Sequence, residues 1–169
     1  MKILDSGTRR EFVSGAVRDI AEGKGRCDLL PLDVIGEREH DIILEKIGTY
    51  VYEGDPASLW DAISLFQYKA FPMGVVTSTQ RISNTLLEVS KHYEEGARKY
   101  ADRNWEKGIN LHCYIDSGVR HYLKWLRGDT DEPHDRAFVW NMLGAIWTQK
   151  HKPELIDLPF GEVENAETN

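Results

Sequence analysis

The chain is short of cysteine, has no long apolar run and carries no excess of basic residues, and each shortage removes a class of protein. Only Cys27 and Cys113 occur among 169 residues. One pair so far apart is neither a disulfide framework nor a zinc spacing, so both are expected as free thiols. The neighbouring His112 and Cys113 have no second pair nearby to complete a four-ligand site. No window approaches a membrane span or the charged-then-apolar form of a signal peptide, so a soluble, cytoplasmic chain is expected. A formal net charge of −7 argues against a surface that grips a nucleic-acid backbone, since such binding depends on clustered Lys and Arg. It leaves room for a small phosphorylated ligand, because divalent cations can sit between carboxylates and phosphates. There is no internal repeat, heptad array or low-complexity tract.

What is present is enough for one core: 41% of the residues are hydrophobic and five are Trp, which supports a single domain over residues 1–169. Residues 1–30 read as irregular, punctuated by Gly7, Gly15, Gly23 and Gly25, with only a short apolar alternation from Phe12 to Val17. In Gly23-Lys24-Gly25-Arg26 the glycines let backbone amides and two cations approach an anion, or simply make a flexible turn; the P-loop spacing is absent. From Pro31 a helical pattern runs through Leu32, Ile35, Ile42, Ile43 and Ile47 to about Val51, weakened at Gly36 and Gly48, so that its first turn can be separate. Asp55 and Pro56 then form an N-cap and N1 pair before Leu59, Trp60, Ile63 and Phe66, a helix to about Ala70. Phe71-Pro72-Met73-Gly74 breaks it, and Thr77, Ser78 or Thr79 caps a long helix to about Ala101. After a loop to about Leu111, residues 115–126 form an amphipathic helix closed by Gly128, with Arg120, His121 and Lys124 opposite its apolar face. Pro133 starts a last helix to about Lys150, apolar nearly all round and so expected to be buried. The acidic tail, residues 151–169, is expected to be partly disordered. The fold class is all-α: a helical core over residues 31–150 behind an irregular N-terminal segment.

Polar chemistry concentrates between Glu88 and Asn141, above all in residues 92–108, HYEEGARKYADRNWEKG. At roughly 100° per residue, Glu88, His92 and Glu95 fall within about 60° of one another on a helix, and the stripe continues through Lys99 to Asp102. Ile82, Leu86, Val89, Tyr93, Ala97 and Tyr100 lie nearly opposite, so a solvated polar face accounts for the same pattern. Asp135 shares a side of the last helix with Val139, Met142 and Ile146. A carboxylate pointing into a core costs several kcal/mol or more unless it is paired or binds metal; alternatively it is a first-turn acid favoured by the helix dipole. Asn141 reads equally as a satisfied core amide.

With GKGRCDLLP at 23–31, the 92–108 string, Arg120-His121 and Trp140-Asn141 in hand, the sequence resembles the phage and bacterial dATP/dGTP diphosphohydrolases. These are related to the MazG-like all-α nucleotide pyrophosphohydrolases, and the resemblance covers roughly residues 8–31 and 86–150. It implies a MazG-like helical bundle in the cytoplasm of a bacterium or phage-infected host. The implied activity is metal-dependent cleavage of a purine (d)NTP, dATP or dGTP, to the monophosphate and pyrophosphate. The family pattern pairs E-x-x-E on one helix with E-x-x-D on a later one, holding Mg²⁺ (or Mn²⁺). Glu132 and Asp135 supply the second pair, whereas His92 stands three residues before Glu95, with Glu88 one turn further back. The implied metal set is therefore Glu88, His92, Glu95, Asp131, Glu132 and Asp135, with Glu95, Lys99 and His121 catalytic. Lys24, Arg26 and Arg120 would neutralise phosphates, Tyr100 or Trp105 would stack on the base, and Asn104 or Asn141 would read its edge or the sugar. The partner is a small nucleotide, with neither nucleic acid nor membrane, and a homo-oligomer is the default. Two rivals stay open: an HD-type phosphohydrolase built on His121 and His134-Asp135, with only Asp157 as its downstream acid, and a helical protein that binds a nucleotide or partner without hydrolysis.

Overall fold

The computed structural model describes residues 8–20, 22–70 and 77–160. Among these, six α-helices carry the architecture: α1 Leu32–Glu39, α2 Ile42–Glu53, α3 Pro56–Ala70, α4 Ser78–Tyr100, α5 Leu111–Arg127 and α6 His134–His151. None is long and apolar enough to cross a membrane. The all-α expectation holds, with one addition at the N-terminus. Arg9–Glu11 (β1) pairs antiparallel with Val17–Asp19 (β2), Arg9 opposite Asp19 and Glu11 opposite Val17. Strands of three residues are too short for alternation to register. Tertiary hydrogen bonds supply what local sequence does not. The Asn104 side chain accepts from the Val17 amide (3.0 Å) and donates to the Val17 carbonyl (2.9 Å), acting as a further strand partner.

The helical stretch expected from Pro31 to Val51 is two helices. His40 adopts a left-handed conformation (φ 54°) and the Asp41 carboxylate caps α2 through the amides of Ile43 (3.1 Å) and Leu44 (3.2 Å). The glycines that weaken the periodicity allow the two helices to touch: a Cβ on Gly36 would lie 2.4 Å from the Glu45 nitrogen, and one on Gly48 2.4 Å from that of Asp33. Thr77 caps α4 in a reciprocal capping box with Gln80. Gly128 (φ 85°) ends α5 as expected.

The core lies where α5 and α6 cross, with α2 and α3 packed on one side and α4 on another. Phe138, Val139, Met142 and Ala145 of α6 are buried, as its pattern demands. The face of α4 differs from expectation. Its buried seam is Arg81, Thr85, Val89 and His92, while Ile82, Leu86 and Leu87 are exposed. The seam follows i, i+4 and i, i+3 spacing, and two of its polar groups find neighbours: Arg81 lies over the Tyr68 ring (4.2 Å) and Thr85 bonds back to the Arg81 carbonyl (2.9 Å). Asp135, expected on the core side of α6, is half-buried and borders a small cavity with Glu88 and Thr85.

The first part of the expected tail is ordered against the body. Phe160 meets the Tyr50 ring edge-on (5.4 Å), and the Asp157 carboxylate accepts from the His112 amide (3.0 Å) and from Asn110 (2.9 Å). It also bonds the His112 ring, whose pKa is raised to about 10, chiefly by that contact. The remaining acidic tail, 161–169, and the Phe71–Gly74 break lie outside the described residues.

Candidate functional site

A cavity of about 540 Å³ opens between β2, the C-terminal half of α4, α5 and the middle of α6. Its walls follow helical spacing. Cys113, Asp116, Ser117, Arg120, His121 and Lys124 come from one stripe of α5, and His92, Gly96 and Tyr100 from one stripe of α4. No atom lies within 4 Å of where a Gly96 Cβ would stand, so this glycine leaves open space rather than admitting a neighbour. Trp140 and Asn141 close the cavity from α6, Glu132 from the link before it, and Arg10, Arg18, Asp19 and Lys24 from the N-terminal segment. Five Lys and Arg thus face three carboxylates there, a local positive excess in a chain of net charge −7.

Most of these cations are held by hydrogen bonds. Arg18 donates to the Cys113 carbonyl (3.1 Å) and to the Asn141 side chain (3.0 Å), its guanidinium lying against the Tyr114 and Trp140 rings. Arg120 bonds Asp116, one turn back on α5, and the carbonyls of Lys24 (3.2 Å) and Gly25 (3.0 Å). The buried Asp116 also accepts from the Cys27 amide (2.6 Å). The glycine-rich loop therefore turns its carbonyls towards Arg120, in keeping with the turn alternative more than with a cradle of amides. Arg26 folds onto Asp28 (2.7 Å), and of the loop's two cations only Lys24 lines the cavity.

The imidazoles make a chain. His121 Nδ1 lies 2.9 Å from His134 Nδ1, and His134 Nε2 lies 2.7 Å from the Asp131 carboxylate. Lys124 (2.9 Å) and His134 hold the Asp131 carboxyl well below the usual carboxylate range. Burial above all, with His134, His92, Arg120 and Arg18 nearby, pushes His121 well below 6.5. His92 sits beside Trp140 (5.5 Å), its Nδ1 buried without a hydrogen-bond partner. Burial first and Arg136 next bring its pKa down to about 4, against the opposing pull of Glu95.

The residues singled out in the sequence divide into groups. Lys24, His92, Tyr100, Asn104, Arg120, His121, Glu132 and Asn141 line the one cavity. Glu95 instead meets Arg136 (2.8 Å) in the seam between α4 and α6. Lys99 (2.7 Å) and the Tyr100 hydroxyl (2.8 Å) hold Asp19. Glu88 pairs with Lys91 and borders the small second cavity with Asp135, away from Glu132. Glu132 precedes the first residue of α6, so its three-residue spacing from Asp135 is not a helical one and the two face different cavities. Trp105 packs between Tyr93 (5.5 Å) and Trp147 (4.8 Å). Sequence reasoning passed over Asp116 and Arg18. Asp116 was recoverable, since it stands four residues before Arg120 on a helix; a side chain on a three-residue strand gives no such signal.

Fold and cavity together define, among the described residues, an all-α protein with a cation-lined site of small-molecule size. Over residues 68–158 the chain matches the family described as dATP/dGTP diphosphohydrolase, N-terminal, and it belongs to that family. The match takes in α4, α5 and α6, three walls of the cavity, and leaves out the β1–β2 hairpin. No curated protein and no solved structure matches the chain.

Proposed function

We propose that the chain hydrolyses a purine deoxynucleoside triphosphate, dATP or dGTP, to the monophosphate and pyrophosphate in this cavity, with a divalent cation. The observation that carries the reading is the coincidence of the family match with the helices that wall the cavity. The cavity volume of about 540 Å³ lies within the roughly 300–1,000 Å³ of small-molecule sites. Lys24 and Arg120 line it and would neutralise phosphates, and Tyr100 and Trp140 contribute aromatic surface to its walls that would meet the base. Asn104 and Asn141 are engaged by Val17 and Arg18, so they position the hairpin wall against the helices.

A divalent cation would neutralise charge on the bridging phosphate oxygen and help aim the attacking water. The six residues that the resemblance assigns to Mg²⁺ or Mn²⁺ fit a single all-carboxylate site poorly: Glu95 is tied to Arg136, Glu88 to Lys91, and Asp135 borders the second cavity. Those ties also favour the second reading, a protein that binds the nucleotide without cleaving it. Incubating the protein with dATP or dGTP and Mg²⁺ or Mn²⁺ separates the readings by product. Monophosphate and pyrophosphate are expected; nucleoside with triphosphate would indicate HD-type chemistry, and unchanged nucleotide a binder.

A further inference from the structure

We propose that His121, His134 and Glu132 bind a transition-metal dication of the Mn²⁺, Co²⁺ or Zn²⁺ type, with Asp131 orienting His134. The three residues come from α5, the first residue of α6 and the link between them, and their ligand atoms lie within 4.8 Å of one another. Coordination distances of about 2.0–2.2 Å hold ligand atoms no more than about 4.4 Å apart, so the trio closes on one ion with a shift of at most about 0.4 Å.

The proton positions argue for a ligand site beyond a fastening of α5 to α6. Asp131 can only accept at His134 Nε2 (2.7 Å), so the His134 proton sits on Nε2 and the Nδ1 lone pair points at His121, 2.9 Å away. A carboxylate on the far nitrogen of a histidine is the arrangement that fixes tautomer and ring orientation in metal sites. His121 closes the contact by donating Nδ1–H; a cation replaces that hydrogen once His121 carries its proton on Nε2. Glu132 and His121 both line the large cavity, so coordination positions left by three protein ligands open towards any molecule held there.

Donor type sets the metal. Mg²⁺ prefers a near-octahedral shell of oxygens and keeps its waters, whereas two imidazoles suit the later divalent ions. A neighbouring trio, Asp129, Asp131 and His134, also has convergent ligand atoms, but Arg127 already neutralises Asp129 and Lys124 Asp131. The inner trio is therefore the site. Its existence depends on this geometry alone and stands apart from whether nucleotide is cleaved.

The test is metal binding by the full chain, free of affinity tag and stripped of metal, with no nucleotide present. Co²⁺ titrated into the protein should give ligand-field absorption saturating at one equivalent, undisturbed by a tenfold excess of Mg²⁺. Glu132→Gln and His134→Gln should each weaken it at least tenfold, and Asp131→Asn by about 10–100-fold. Because His134 is buried, circular dichroism and anomalous scattering from wild-type crystals soaked in Mn²⁺ or Zn²⁺ guard against reading a folding defect as lost ligation. An anomalous peak between His121, His134 and Glu132 is expected. Absence of transition-metal binding, undiminished binding in folded Glu132→Gln and His134→Gln proteins, or a peak at Asp129 and Asp131 would each overturn the assignment.

Discussion

His92 joins α4 to the cavity wall, and its surroundings keep it neutral: its pKa of about 4 lies below the ordinary 6.5. Between those values an unfolded chain takes up a proton that the folded chain refuses, so stability falls as pH drops from about 6.5 towards 4. The difference corresponds to on the order of 3 kcal/mol at full effect. Thermal melts of wild type and His92→Gln from pH 7 to 4 should show a shallower decline in the variant; equal slopes would mean that His92 protonates freely. His121 shifts in the same direction and leaves part of the slope in both proteins. At Arg120 the consequence is larger. Its guanidinium is the ion partner of the buried Asp116, and truncating one partner of such a pair typically costs about 3–5 kcal/mol. Arg120→Ala should lose roughly that much in chemical denaturation, whereas Asp116→Asn with Arg120→Gln together should lose less, because no lone charge stays buried.

Among the elements, glycines of similar helical setting do opposite things. Gly48 lets α2 lie against α1, with the Asp33 backbone nitrogen 2.4 Å from where a Cβ would be. Backbone cannot yield as a flexible side chain does, so Gly48→Ala should destabilise by about 1–3 kcal/mol. Gly96 on α4 faces open cavity. Gly96→Ala should gain up to about 1 kcal/mol from helix propensity while weakening dATP or dGTP binding measured by calorimetry. A variant that melts higher and binds equally well would mean that the ligand does not use this wall. The buried seam of α4 carries a related lesson. Arg81 occupies it against the Tyr68 ring of α3 and His92 against the Trp140 ring of α6, information absent from the periodicity of α4 itself.

For the whole molecule, the resemblance implies a homo-oligomer, and α4 offers a surface for a second copy: Ile82, Leu86 and Leu87 are 50%, 52% and 64% exposed. Sedimentation should reveal an assembly that Leu86→Glu with Leu87→Glu reduces to monomer; a wild-type monomer at micromolar concentration would remove the proposal. The sequence by itself determined the helices, because caps such as Thr77, terminators such as Gly128 and 3.6-residue periodicity act within a few residues. It also marked α6 as the buried helix and brought forward eight of the residues that line the cavity. Tertiary structure decided the rest. The hairpin is fastened to the helices through Asn104, the Cys113 carbonyl and Asn141, Glu95 of α4 turns to Arg136 of α6, and Glu132 parts from Asp135 because one precedes the helix that carries the other. The His121–His134–Asp131 chain links α5 to α6 across thirteen residues and a loop. Spacing along one element determines which side chains share a face, but only the packing of elements determines what that face meets.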